Sequence, residues 1–510
     1  MIRPLSIEEF YAACSAKRVV SILHEVFSGT ESPVSIFDKV ARNNSGAFLL
    51  ESAEQGVWSR FSFIGVESRG TLQQSHDGRV SWRSSDGNGA LPRDTAETLS
   101  ADGLTALQQI QSAWKSESSR EEIPLLSGLV GHISWDVVAD LEEIDVKISH
   151  ETPLARINFS MFRDLIVVDH HSATLLFVSN VFVEGQSLSE LQVDYERAIA
   201  AIEGMQRLVL SPTNPYLAEV KFTQDGSAEP NQSKEDFLEV VSKAKEHVVR
   251  GDVFQVVLSQ SFSTEVRTQP LEVYRVLRAL NPSPYMYLIN GEDEFGKYSI
   301  VGSSPEALVT VTGDSVVTHP IAGSRPRGKD WDEDHGLESE LLNDTKETAE
   351  HLMLVDLARN DLLKACEPST VAVTEFMQVH RFSHIMHLVS TVEGKLRKGI
   401  SPVDVFRATF PAGTLSGAPK PKALAIIEKL EPSARGLYGG VCGYFDFAGN
   451  ADLAIAIRTA LIRNNRAFVQ AGAGIVLDSN PVSEYEETKS KARAILRAIE
   501  AANNSERLAN

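Results

Sequence analysis

Cysteine is scarce in this chain. Cys14, Cys366 and Cys442 are the only three, and no two are spaced as CxxC, so neither a disulfide framework nor a zinc site is indicated. Long apolar runs are missing too. Nothing reaches the roughly 18 consecutive apolar residues of a membrane span. The N-terminus carries Glu8 and Glu9 early and no apolar stretch of the signal-peptide kind. Basic charge is in deficit, with 49 Lys and Arg against 69 Asp and Glu and a net charge of −20, which argues against tracking along a nucleic-acid backbone. Fixed-period repeats and low-complexity tracts are absent. These absences leave a cytoplasmic enzyme with neither nucleic acid nor membrane as partner.

What is present is ordinary for such an enzyme: 42% hydrophobic and 23% charged residues over 510 positions. That length suits two domains or one large intertwined one. Residues 1 to about 210 mix short strand-like runs (Phe48-Leu49-Leu50, Leu165-Ile166-Val167-Val168, Leu175-Leu176-Phe177-Val178) with a few helices. Gln74 to Thr98 is polar and rich in Gly, Asp and Ser, an exposed excursion. Between 211 and 234 the Pro, Asn, Ser and Gly content marks a linker-like segment. A catalytic part over 235–510 follows. Ser233 with Asp236 reads as a helix start, with the stop at Gly251. Val253 to Ser259 then reads as a buried strand, and a helix from Glu484 to Ala502, capped by Ser483, closes the chain. The expected class is α+β.

Several residues can carry chemistry. The run His319-Pro320-Ile321-Ala322-Gly323-Ser324-Arg325-Pro326-Arg327-Gly328 follows a strand-like Ser315–Thr318. Its glycine and hydroxyl can grip a carboxylate, although most Gly-Ser pairs are turns. Glu350, Leu354 and Leu357 share a helix face at i, i+4 and i+7. An acid on that stripe is either a surface residue at its edge or a partnered, functional one. Glu484 and Glu487 stand near the start of the last helix, where acids ordinarily serve the helix dipole. Gly472-Ala473-Gly474, after the strand-like Ala467–Gln470, is a turn or an anion cradle. Arg458 ends an apolar run, as a structural ion pair or a bidentate carboxylate ligand. Tyr438 lies among glycines. His384 and His387 sit in an apolar run, where core roles are common and proton transfer is the alternative. Neither HExxH nor HxxEH occurs, which removes a zinc hydrolase.

Taken together, these residues resemble the chorismate-utilising enzymes, and residues 319–328 are most similar to those of the anthranilate-forming branch. The similarity extends from about Phe48 to Ala494 and is most specific over 319–328, 350–361, 411–420 and 470–491. It implies a large two-sheet antiparallel β core flanked by helices. It also implies chorismate contacts from Gly323, Ser324, Tyr438, Arg458, Gly472, Ala473 and Gly474, where Ser324 replaces the family's usual threonine. Mg²⁺ would be held by Glu350 and Glu487, with Glu484 second in rank and Lys491 nearby. His387 is implied as an acid/base group, and His319 is a further candidate. His384 is expected to be a core residue.

Two positions separate the branches. Members that add water carry a lysine where this chain has Gln255, and an amide cannot act as a base. Aminodeoxychorismate-forming members carry a nucleophilic lysine where this chain has Ala322. What remains is attack of ammonia on chorismate and release of pyruvate to give anthranilate. An aminodeoxychorismate synthase component and an isochorismate or salicylate synthase are the alternatives. No cysteine has a glutaminase context, so the resemblance implies a separate glutamine amidotransferase small subunit, in a heterodimer or heterotetramer. Ser52, Pro284, Tyr285 and Met286 resemble the segments that bind L-tryptophan as feedback inhibitor, which makes the N-terminal part regulatory.

Overall fold

The computed structural model describes residues 2–29, 31–52, 60–84, 91, 95, 98–142, 144, 151–212, 218–220, 228–381 and 385–507. Half of the 211–234 segment, much of the Gln74–Thr98 excursion and His384 lie outside the described residues. The architecture is mixed helix and antiparallel sheet. Among the described residues, hydrogen bonds join 21 strands into one antiparallel β core, with a separate pair of short strands. Long strands make this continuity possible: Phe61–Gln74 pairs Phe48–Glu51 and Ile157–Asp169, and its register shifts between Gly65 and Gly70 bend it.

Strands from either side of the 211–234 segment share the sheet. Phe48–Glu51 lies antiparallel to Tyr285–Asp293, with Met286 opposite Glu51, and Gly128–Ile133 lies against Val441–Asp446. Helices cover the faces. Lys234–Val249 starts where Ser233 accepts from the Asp236 N–H and ends before Gly251, whose φ of 78° suits glycine. The strand after it runs Gln255–Glu265 and is buried over its first nine residues.

Two local expectations are corrected. The last helix spans Pro481–Asn503, and Asn480 caps it by accepting from the Val482 and Ser483 N–H groups, not Ser483. Pro481 decides this, because a first helical position needs no N–H and proline's φ is already helical. Gly472-Ala473-Gly474 forms no turn: it continues the Arg466–Ile475 strand, with Ser259 opposite Gly472 and Val257 opposite Gly474.

Candidate active site

The buried start of the Gln255–Glu265 strand and the small residues opposite it form the floor of the site. Glycine is required there by close approach. A Cβ on Gly472 would stand 2.6 Å from the Tyr438 hydroxyl, and one on Gly474 would strike Nε2 of Gln255. Tyr438 is buried, and desolvation pushes its phenol well above the usual range. Beneath it Arg435 donates to both oxygens of Glu431 and to the carbonyls of Leu415 and Val257, and stacks 4.3 Å from the Trp135 ring centroid.

Helices Thr345–Ala365 and Pro481–Asn503 bring in the acids. Gln255 Nε2 donates to Glu350 Oε1 at 3.0 Å. Lys491 Nζ donates to the Gly472 carbonyl at 3.0 Å and pairs with Glu487 at 2.7 Å. One turn earlier on each helix, Glu347 and Glu484 have carboxyls pushed upward, first by burial and then by the charges of Glu350 and Glu487. Lys346 of the first helix acts on Glu484 of the second, so the two N-terminal turns face a common space. Among the described residues no three His, Cys, Asp or Glu cluster as a metal cage. Crowded carboxylates without such a cage fit a hard cation that takes one or two protein carboxylates and fills its shell with water and substrate oxygens.

The segment carrying Gly323 is a strand, Ile321–Pro326, antiparallel to Ile385–Lys395. Gly323 has φ 66° at a register shift, and its carbonyl accepts from His387 Nδ1 at 2.9 Å. That bond puts the imidazole proton on Nδ1 and leaves Nε2 basic. Burial lowers the His387 pKa, and the Arg458 and Lys491 charges lower it further, so the ring is neutral at pH 7. A Cβ on Gly323 would lie 3.1 Å from Glu347 Oε2, which ties this strand to the acidic helix. Ser324 is exposed and stands opposite His387. The neighbouring arginines are committed elsewhere: Arg325 pairs with Glu340 and Asp344, and Arg327 with Asp334.

Arg458 occupies the turn between Ala451–Ile455 and Thr459–Arg463 with φ 51°, a left-handed conformation uncommon outside glycine. Desolvation lowers its pKa, and no ion pair to its guanidinium occurs among the described residues. A partly buried cation without its anion marks a place for an anionic ligand.

Sequence reasoning missed Glu306. Its carbonyl accepts from the Ile455 N–H, three residues before Arg458, and Thr414 donates to its Oε1 at 3.0 Å. Burial raises its pKa to about 7. With His319, Leu354, Leu357, Gly413 and Thr414 it lines one small cavity. His319 donates through Nδ1 to Thr391 Oγ1, whose own hydrogen goes to Glu375, and burial lowers the His319 pKa. A Ser-Pro-Glu triplet before a strand carries no pattern that would single the acid out; only its burial does.

Ser52 and Pro284-Tyr285-Met286 lie elsewhere, brought together by the pairing of Phe48–Glu51 with Tyr285–Asp293. The Ser52 Oγ is buried with no partner among the described residues. Tyr285 donates to Asp452 at 3.0 Å. Glu51 itself is locked by Tyr274 and Arg278.

Known proteins carry the same frame. The family described as chorismate binding enzyme matches residues 46–497. Anthranilate synthase component 1 of Arthrobacter globiformis is 45% identical over 97% of this chain and 93% of its own. That of Aquifex aeolicus is 41% identical over 98% and 99%. The crystal structure of anthranilate synthase component I from Streptococcus pneumoniae TIGR4 superposes with a TM-score of 0.72 at 32% identity, covering 92% of this chain and 99% of that one. The fold extends to MenF, the menaquinone-specific isochorismate synthase of Escherichia coli, at a TM-score of 0.67 and 17% identity. By sequence and by fold, this chain belongs to the chorismate binding enzymes.

Proposed function

We propose that this chain is the synthase subunit of an anthranilate synthase, turning chorismate and ammonia into anthranilate, pyruvate and water. The observation that carries the reading beyond the family is the pair of residues that would select the nucleophile: Gln255 in place of a base, and Ala322 in place of a nucleophilic amine. Arg458, lacking an anion of its own, binds a chorismate carboxylate, helped by the N–H groups around Gly472–Gly474 and by Tyr438. Glu350 and Glu487 hold Mg²⁺, whose chemistry is to neutralise substrate carboxylate charge in a strongly acidic protein.

In the first stage the ammonia lone pair forms the bond to C2, the ring double bond shifts, and the C4–O bond breaks. Glu306 is protonated below about pH 7 and gives that proton to the leaving hydroxyl, which departs as water. The added nitrogen sheds its surplus proton to solvent. In the second stage His387, neutral with Nε2 basic, takes the C2 proton. The C3–O bond then breaks, the ring becomes aromatic, and the group leaves as enolpyruvate, whose methylene carbon takes a proton from solvent to give pyruvate.

A glutamine amidotransferase subunit supplies ammonia in the cell. The N-terminal part, to about residue 210, carries control: L-tryptophan binds where Ser52 Oγ lacks a partner, beside Pro284, Tyr285 and Met286. One assay tests the whole reading. Purified chain with chorismate, Mg²⁺ and an ammonium salt at alkaline pH is expected to produce fluorescent anthranilate. The activity should stop in EDTA and return with Mg²⁺. Tryptophan should inhibit the wild type but not Ser52→Phe. Accumulation of isochorismate, salicylate or aminodeoxychorismate instead would refute it.

A further inference from the structure

Among the described residues, the Gln255 side chain has one polar atom unaccounted for, and chemistry fixes which one. The Glu350 carboxylate only accepts hydrogen bonds, so the amide face turned to it, 3.0 Å away, must be the NH₂ group. Oε1 therefore points the other way. It is buried, with no hydrogen-bond partner, on a residue that is 4% exposed. Gly474 packs so closely against Nε2 that the amide cannot swing aside into that strand. A buried carbonyl oxygen left without a donor is costly, and folded proteins seldom keep one unless a ligand satisfies it.

We infer that Gln255 Oε1 is the ammonia contact: it accepts a hydrogen bond from the attacking nitrogen and turns the lone pair toward the ring. The inference rests on the anthranilate-forming reading above and names the residue that recognises its second substrate. Its position suits the task, because Gln255 Nε2 meets both the Glu350 carboxylate and Gly474, one of the small residues assigned above to chorismate. The chemistry suits it as well. Ammonia needs no base before it attacks, only orientation, and an amide oxygen orients without competing for the proton. As the C2–N bond forms, positive charge grows on nitrogen, and the negative end of a preorganised carbonyl dipole stabilises it. The Glu350 contact thus serves two ends, holding a metal ligand and aiming an acceptor.

The test is steady-state kinetics with free ammonia varied at saturating Mg²⁺ and alkaline pH, comparing wild type with Gln255→Met, which keeps length and loses the acceptor. The KM for ammonia should rise about tenfold, the amount one hydrogen bond is worth, while the KM for chorismate stays within about threefold. An unchanged ammonia KM, or equal rises for both substrates, overturns the assignment. Should Gln255→Met fail to bind chorismate, Gln255→Asn decides the matter. Its shortened amide cannot reach both partners, so its ammonia KM should rise at least about threefold; a wild-type value overturns the contact. A wild type that makes no anthranilate from ammonia fails the functional reading itself, and the contact with it. Failure in the variants alone leaves that reading standing.

Discussion

Strands Arg466–Ile475 and Ala372–Arg381 are equally long and border the same site. The first is buried along most of its length, whereas no residue of the second is fully buried. Beneath the first, Arg435 and Glu431 satisfy each other and four further groups with almost no solvent contact. Around the second, cohesion comes from ion pairs whose arginines reach water: Arg381 with Glu338 and with the buried Asp334, Arg327 with Asp334, Arg325 with Glu340 and Asp344. Buried, fully bonded charge holds one geometry because every alternative strands a charge in low dielectric. Exposed pairs exchange with water and salt at little cost. The floor that places Gln255, Tyr438 and Gly472–Gly474 is therefore stiff, and the flank that carries Gly323 and His387 is adjustable.

The largest effect should follow from breaking the floor. Arg435→Met strands the Glu431 carboxylate 3% exposed, and such orphaned charges cost about 3–5 kcal/mol. Chemical denaturation should show that loss, with part of it recovered in the Arg435→Met, Glu431→Gln double variant. A single variant as stable as wild type would end the distinction between floor and flank.

Next in size is Glu306→Gln, which keeps shape and removes the proton donor. A fall in kcat of about a hundredfold or more is expected, read as anthranilate formed per unit of free ammonia. Burial raises this carboxyl from 4.5 to about 7, so the wild-type rate, corrected for free ammonia, should decline as pH rises through about 7. The variant should lack that limb. Stability moves in the same sense. A raised folded pKa means the fold favours the protonated acid; that contribution is complete below the unfolded value near 4.5 and is lost as pH rises through about 7. Relative to wild type, Glu306→Gln should gain stability above pH 7. An unchanged pH profile would remove Glu306 from the chemistry.

How legible the two regions were in sequence follows from the same physics. Glycines forced by close approach, the Ser233 cap and apolar strand cores are local signals, and they predicted the strands around Phe48, Leu165 and Leu175 and the helix after Ser233. Resemblance added far-apart residues as members of one site, and the structure supplied their pairings: Gln255 with Glu350, Gly472 with Tyr438, Gly323 with His387. Glu306 escaped because its raised pKa comes from burial, which outweighs the lowering by the Thr414 hydrogen bond, in a cavity lined by Gly413 and Ile455, residues more than a hundred positions away. The Ser483 cap failed because Asn480 and Pro481 made a better one three residues earlier. The partners of Arg325 and Arg327 were illegible too, since a sequence does not reveal that Glu340, Asp344 and Asp334 hold them.

The smallest effect should come from Arg325→Met, and its smallness is the sharpest test of the flank. Arg325 joins the Ile321–Pro326 strand to Glu340 and to Asp344, whose carboxylate also caps the helix that carries Glu350 by accepting from the Lys346 and Glu347 N–H groups. The cap survives the substitution, because those backbone donors lie on the helix itself. What disappears is a pair of contacts to acids that are 62% and 30% exposed, and water replaces them. The melting temperature should fall by no more than about 2 °C, with the difference shrinking further at high salt. The kinetic trace should be selective. With its strand less firmly tied to the helix, Gly323 is held less well against Glu347, so KM for chorismate should rise modestly at low salt while kcat stays near wild type. A stability loss approaching that of Arg435→Met would mean that the flank is as rigid as the floor, and that the ion pairs at its surface hold the site as firmly as the buried ones beneath it.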